Sequence, residues 1–111
     1  MKRPNVGRWT WEQTLSEAVL LRNLEMQGYS ASRWIKDAGF KFPPRRDNYD
    51  KVILVVRGSI TYRIPQTNED FALHPGDRLE LPAGFAYDSL VGSQGVLCLE
   101  GQSPVDDVNQ D

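Results

Sequence analysis

The sequence predicts an all-β barrel, mostly antiparallel, with one short helix before it. Two observations indicate this fold class. Many short segments rich in β-branched and aromatic residues follow residue 28, separated at close intervals by glycine, proline, asparagine and aspartate. Upstream of residue 28, apolar residues instead recur at helical spacing. Short strands joined by tight turns are typical of sandwiches and barrels, so we expect a barrel or jelly roll over most of the chain.

The segment from Thr14 to Gln27 is predicted to be the helix. Thr14 and Glu17 have the spacing of a capping box, in which a side-chain oxygen accepts from a free amide at the helix start. Gly28 stands where a helix commonly stops. We expect the apolar stripe of this helix to pack on the barrel or on a partner subunit. The stripe consists of Leu15, Val19, Leu20 or Leu21, Leu24 and Met26.

Eight segments are predicted to be strands because each is short, is bounded by turn residues and contains strand-forming side chains. They are Ser30–Lys36, Lys41–Phe42, Lys51–Arg57, Ser59–Pro65, Phe71–Leu73, Asp77–Leu81, Ala86–Val91 and Gly95–Glu100. Arg57-Gly58 and Gly92-Ser93 are among the predicted turns. The run Val52–Val56 is apolar on both faces, which predicts a central strand covered on both sides.

The composition indicates one domain and excludes some partners. A chain of 111 residues has the size of a single domain, which we divide into an N-terminal segment and helix (1–28), a barrel (29–101) and a flexible acidic tail (102–111). The net charge is −2, without the basic excess that nucleic-acid binding requires. No apolar run has the length of a signal peptide or membrane span. We expect a cytoplasmic protein without nucleic-acid or membrane partners.

Two residues that often carry chemistry are predicted to have structural roles. Cys98 is the single cysteine and lies in an apolar run, which favours a buried thiol over a reactive one. His74 is the single histidine and lies in a turn before Gly76, which favours a solvated side chain over a ligand or catalytic base. Trp34 and Tyr62 are predicted to be barrel-wall or interface residues.

The segment Leu73–Gly84 resembles the second motif of the cupin superfamily. In that motif a glycine is followed after five residues by proline, then glycine, and after two more residues by a histidine. Gly76, Pro82 and Gly84 match it, and Tyr87 stands at the histidine position. The glycines and the proline make tight turns into and out of a strand.

A second stretch is similar to the first cupin motif. Gly39 and Gly58 match its glycines in the form with a three-residue spacer, and the ligand positions then hold Arg45, Asp47 and Lys51. The form with a four-residue spacer puts Pro44 and Arg46 in the histidine positions, so neither form restores a histidine. The resemblance covers roughly residues 28–101 and implies a cupin barrel.

The resemblance implies a metal site whose ligands are absent here. Cupins usually hold a transition metal through imidazoles and a carboxylate, which must offer lone pairs. Arg45 offers none, and Lys51 would first have to lose its proton. Two cations would also repel a divalent ion. We therefore expect no metal and no cofactor at this position.

The residues at these positions instead define a polar, charged candidate site. Four of these residues have odd numbers, so in an extended chain their side chains point to one face. By family analogy this face is the barrel interior. The four are Arg45, Asp47, Tyr49 and Lys51. Tyr87 completes the ligand-binding set, with Asp88 next to it. A buried Lys51 needs a counter-ion, and Asp47 is the expected partner. Arg45 and Lys51 together are expected to hold an anion such as a carboxylate or phosphate.

Structural roles for the same residues stay open. Residues 45–47 also fit an exposed loop at the rim. Lys51 also fits a purely structural ion pair, and Tyr87 also fits a core aromatic whose hydroxyl bonds to the backbone.

Three functions follow from the preserved scaffold and the altered ligand positions. The first is a metal-independent protein that binds a small, anionic ligand. The second is a metal-free isomerase, epimerase or lyase in which Lys51 or Tyr87 moves protons and Asp47 orients Lys51; these three residues are the catalytic candidates. The third is a degenerate cupin that serves as a dimerisation module, because pairing covers exposed strand edges. A homodimer is expected in each case.

Overall fold

The computed structural model describes residues 2–8 and 16–103, and within these ranges it contains seven strands and one helix. Residues 1, 9–15 and 104–111 lie outside the described residues, and with them Thr14 and most of the predicted tail. The elements are β1 (Asn5–Arg8), α1 (Glu17–Met26), β2 (Ser30–Lys36), β3 (Lys41–Arg46), β4 (Lys51–Ile64), β5 (Glu69–Leu73), β6 (Asp77–Leu81) and β7 (Ala86–Gln102). Every strand pair is antiparallel, as predicted.

Two long strands, β4 and β7, form the spine of the barrel. They pair from Lys51 opposite Gln102 to Arg63 opposite Asp88. Strands β6 and β5 flank β4, strands β2 and β3 flank β7, and β1 pairs with β6. β1 was not predicted, because a four-residue strand containing Gly7 has almost no strand signal of its own.

The predicted turns at Arg57-Gly58 and Gly92-Ser93 were wrong, because both strands continue through them. The β4–β7 register shifts around Val55–Arg57 and Gly58–Ile60, so the irregularities are bulges that bend paired strands. Gly58 has a φ of 77°, and a Cβ there would lie 1.9 Å from the Gly95 carbonyl oxygen. A glycine that is required by a bulge looks the same in sequence as one that is required by a turn.

These bends fold each long strand back on itself. A straight β7 would place Tyr87 roughly 50 Å from Gln102, at about 3.3 Å per residue. Lys51 pairs with Gln102, yet its Nζ lies 2.7 Å from the Tyr87 hydroxyl. The two halves of the sheet therefore face each other and enclose the main core. Its members include Ile53, Val55, Ile60, Tyr62, Leu79 and Cys98.

A smaller core joins the helix to the outside of the barrel. Leu20 and Leu24 are buried there with Val52, Leu54 and Leu99. Val52 and Leu54 thus face the helix while Ile53 and Val55 face the barrel interior, which confirms the prediction of a strand covered on both sides.

The predicted helix is confirmed, but it begins and ends at different residues. Its first residue is Glu17, and the Ser16 hydroxyl accepts from the Val19 amide at the N-cap. Gly28 follows the helix with a φ of 94°, as its predicted role as a stop requires. Val19 and Met26 are 54% and 78% exposed, so these two residues of the predicted stripe do not pack on the barrel; their packing on a partner subunit stays a prediction. At about 100° per residue they lie away from the Leu20–Leu24 face.

No helix within residues 2–8 and 16–103 is long and apolar enough to cross a membrane.

Candidate functional site

The candidate site lies where the end of β3, the start of β4 and both ends of β7 meet. Arg45 lies directly opposite Tyr87 in the β3–β7 pair, and Lys51 is the first residue of β4. Residues 47–50 form a bend between them, so the prediction of one extended segment from Arg45 to Lys51 was wrong. The Gly84 amide donates to the Asp47 carbonyl at 2.9 Å, and this bond fixes the bend against the predicted Pro-Ala-Gly turn.

Lys51 lies at the centre of the site and is surrounded by oxygen acceptors. Its Nζ donates to the Tyr87 hydroxyl at 2.7 Å, and it lies 3.2 Å from Asp47 Oδ2 and 3.4 Å from Glu100 Oε2. The Lys51 side chain is only 5% exposed. An ammonium group has three N–H donors, so these three partners are enough to satisfy it. The predicted Asp47–Lys51 ion pair is present.

Asp47 uses both carboxylate oxygens. Oδ1 accepts from Arg45 Nε at 3.0 Å and Nη2 at 2.6 Å, and Oδ2 accepts from the Tyr87 hydroxyl at 2.5 Å. Burial alone would raise the pKa of Asp47, but the hydrogen bonds from Tyr87 and Arg45 and the charge of Lys51 outweigh it and hold this pKa below its usual value. Asp47 therefore remains a carboxylate at neutral pH.

Tyr87 connects the two charged groups, because its hydroxyl accepts from Lys51 and donates to Asp47. Burial and the hydrogen bond to Asp47 raise the pKa of Tyr87 far above its usual value. The phenol is thus protonated at neutral pH, where it can donate a proton but cannot serve as a base.

Sequence reasoning missed Glu100, which is the second counter-ion of Lys51. Its Oε1 accepts from the Trp34 indole at 3.2 Å, and its Oε2 accepts from Gln102 at 2.7 Å. Glu100 shares the parity of the buried Cys98, so it faces the barrel interior. A carboxylate on the inward face of an otherwise apolar strand was the available signal.

Arg45 and Tyr49 form the rim above this network. The Arg45 side chain is 55% exposed, and its Nη2 lies 3.5 Å from the Tyr49 hydroxyl. The hydrogen bond to Asp47 raises the pKa of Arg45, so its charge is permanent. Burial raises the pKa of Tyr49, which leaves a neutral phenol beside an exposed guanidinium.

Other predicted residues lie elsewhere. Asp88, expected beside the site, instead pairs with Arg63 at 2.7 Å. Adjacent residues of a strand point to opposite faces, so Asp88 points away from the face that carries Tyr87. His74 is an exposed turn residue, as predicted. Cys98 is fully buried, as predicted. Tyr62 is buried in the barrel core and Trp34 packs against it, so both are barrel-wall residues.

The residues that the motif resemblance assigns to cupin ligand positions do not fit a metal ion. Arg45 and Lys51 contribute cations without free lone pairs, and both oxygens of Asp47 already accept hydrogen bonds. No group of three or more histidine, cysteine, aspartate or glutamate side chains within residues 2–8 and 16–103 is arranged to hold a metal. The Lys51 ammonium instead occupies the centre of the candidate site.

Comparisons with known proteins agree on the fold. No family model and no curated protein matches the sequence. KdgF from Halomonas sp. matches with a TM-score of 0.61 and 23% identity, over 70% of each chain. An RmlC-like cupin from Shewanella frigidimarina matches with a TM-score of 0.61 and 17% identity, over 73% of this chain and 70% of that one. A DUF861 family protein from Thermotoga maritima matches with a TM-score of 0.61 and 12% identity, over 90% of this chain and 99% of that one.

The class of protein follows from the fold and the site together. The chain is a cupin-fold β-barrel with one short helix. Four side chains that the motif resemblance assigns to cupin ligand positions meet in one hydrogen-bonded network. They are Arg45, Asp47, Lys51 and Tyr87.

Proposed function

We propose that this cupin-fold barrel is a metal-independent protein that binds a small anionic ligand at its mouth, with Arg45 as the contacting cation. The observation that carries the proposal is the way in which Arg45 is held. Asp47 fixes its guanidinium through Nε and Nη2, while the side chain remains 55% exposed. A positioned but accessible guanidinium is well suited to a planar oxyanion.

The donor count supports this role. A guanidinium has five N–H donors, and its contacts with Asp47 and Tyr49 engage three of them at most. The remaining donors belong to the exposed end of the group. A carboxylate can accept two parallel hydrogen bonds from such an end, so a small carboxylate or sugar acid is the favoured ligand class.

Lys51 supports the ligand site from below. Its three oxygen partners already satisfy its donors, so we assign anion contact to Arg45 rather than to the Arg45–Lys51 pair. Lys51 offsets the charges of Asp47 and Glu100, and this leaves Asp47 free to orient Arg45. A guanidinium that is oriented before binding loses less conformational entropy when the ligand arrives.

A thermal-shift and calorimetry screen tests the proposal. The probes are acetate, malonate, glucuronate, galacturonate and phosphate at millimolar concentration. The matched variants are Arg45→Gln and Arg46→Gln. Arg46 is the next residue along the strand and is exposed, and its side chain points to the opposite face from that of Arg45. We expect at least one carboxylate to raise the melting temperature of the wild type and of Arg46→Gln but not of Arg45→Gln. The proposal is wrong if no anion raises the melting temperature of the wild type, or if Arg45→Gln and Arg46→Gln bind the anion equally well.

A further inference from the structure

A cavity of about 180 Å³ lies between helix α1 and the outer face of the barrel. Its floor is a row of residues across three neighbouring strands. Gly7 of β1 lies opposite Arg78 of β6, and Arg78 lies opposite Leu54 of β4. Its roof is one face of the helix and the residue that caps it, with side chains at spacings of three and four residues. The roof residues are Leu20, Asn23, Leu24 and Gln27.

The cavity exists because Gly7 has no side chain. Directly opposed residues of an antiparallel pair project to the same face of the sheet, so a side chain at position 7 would project beside Arg78 toward the helix. A Cβ built at Gly7 meets no described atom within 4 Å. Gly7 is not among the described glycines with a positive φ, so its backbone does not require glycine.

The walls of this cavity combine an apolar side with a cationic end. Leu20, Leu24 and Leu54 are buried apolar residues. Arg78 is 27% exposed, donates through Nη2 to Gln27 Oε1 at 2.9 Å, and lies 3.4 Å through Nε from Glu80. These two contacts use a minority of the five guanidinium donors, and Glu80 is not a lining residue of the cavity.

We infer that this helix–barrel cavity binds a small monocarboxylate with a short, branched apolar group. Its volume is of the same order as the roughly 150 Å³ of a protein cavity that binds benzene, so it suits a small organic molecule. The carboxylate bonds to Arg78, with the Asn23 amide beside it, and the apolar group lies against the three leucines. The site is independent of Arg45 and of the proposed function, since it lies on the outer face of the sheet.

Methyl-resolved NMR and calorimetry with isovalerate test this inference. Isopentylamine has a similar apolar group with the opposite charge, and isopentanol is the neutral counterpart. Gly7→Val fills the floor with a side chain suited to a strand. Arg78→Gln removes the cation, and Arg22→Gln, on the exposed side of the helix, is the matched control.

We expect isovalerate to shift the methyl resonances of Leu20, Leu24 and Leu54, with shifts that saturate as its concentration rises. Isopentylamine should not shift these resonances. Arg78→Gln should weaken binding about tenfold or more, because one charge-assisted hydrogen bond is lost. Gly7→Val should abolish binding while the protein melts at the same or a higher temperature. Arg22→Gln should bind as the wild type does, and Arg45→Gln should keep the shifts of the Leu20, Leu24 and Leu54 methyls, because Arg45 does not line this cavity. Binding that survives Gly7→Val, equal binding of the amine, or no saturable shift would overturn the inference.

Discussion

The Lys51 ammonium and the Tyr87 hydroxyl are 2.7 Å apart, although they lie in opposite halves of the folded-back sheet. The motif resemblance assigns each residue to a cupin ligand position. Their hydrogen bond, together with the Asp47 and Glu100 carboxylates, links the two halves of the sheet across the barrel.

Removal of the Lys51 charge should strongly destabilise the fold. Lys51→Met leaves the buried Asp47 and the half-buried Glu100 without their shared cation, and breaking a buried ion pair in this way costs about 3–5 kcal/mol. Lys41→Met is the matched control, because Lys41 is exposed and such a change stays within about 0.5 kcal/mol. Urea unfolding followed by circular dichroism measures both. Equal stability of the two variants would show that the network contributes nothing to the fold.

The Asp47 network should produce a defined loss of stability in acid. The pKa of Asp47 is lowered in the folded state, so its contribution is present above the unfolded value of about 3.9 and is lost as the pH falls through the folded value. The difference in the free energy of unfolding between the wild type and Asp47→Asn should narrow as the pH falls below about 4. Asp70→Asn, at an exposed position, should show no such gap. A gap that is constant with pH would contradict this explanation.

Cys98 should be inert in the native protein. It is fully buried, and burial raises the pKa of its thiol to about 12, so very little of the reactive thiolate forms at pH 8. We expect iodoacetamide to label Cys98 only at the rate of unfolding, and to label one thiol per chain in denaturant. Rapid labelling of the folded protein would contradict the buried position.

The bend at Gly58 should be intolerant of a side chain. Gly58 and Gly39 both have positive φ values, of 77° and 78°, so alanine at either position costs about 1–2 kcal/mol of backbone strain. At Gly58 the Cβ would also lie 1.9 Å from the Gly95 carbonyl oxygen, whereas at Gly39 it meets no described atom within 4 Å. Gly58→Ala should therefore unfold at clearly lower urea concentration than Gly39→Ala. Equal midpoints would mean that the bend can relax without cost.

The parts of this fold that local signals determine could be predicted from sequence. Strands β2 and β6 have the predicted bounds, because turn residues flank each of them. The covering of the central run on both sides also followed from its apolar pattern. The site residues Arg45, Asp47, Lys51 and Tyr87 could be named because motif spacing places them, although the bend that brings them together was not predicted.

What could not be predicted depends on contacts that are distant in sequence. Glu100 is held by Trp34 and Lys51, and nothing near Glu100 in the chain signals either partner. The cavity above Gly7 is lined by residues of β1, β4, β6 and the helix, which are distant from one another in the sequence. The bends in β4 and β7 were taken for turns, since whether a glycine ends a strand or bends it is decided by the pairing of the strand with its neighbours.

We propose that the Asp47–Lys51–Tyr87 network occupies the position that the motif resemblance assigns to the cupin metal ion. The most direct test is the metal content of the purified, untagged protein, measured by plasma mass spectrometry after expression in medium supplemented with iron, manganese, nickel and zinc. We expect every transition metal to be present at well below one equivalent per chain. A metal near one equivalent, lost in Asp47→Asn and retained in Asp70→Asn, would contradict the claim and show that these residues rearrange to bind it.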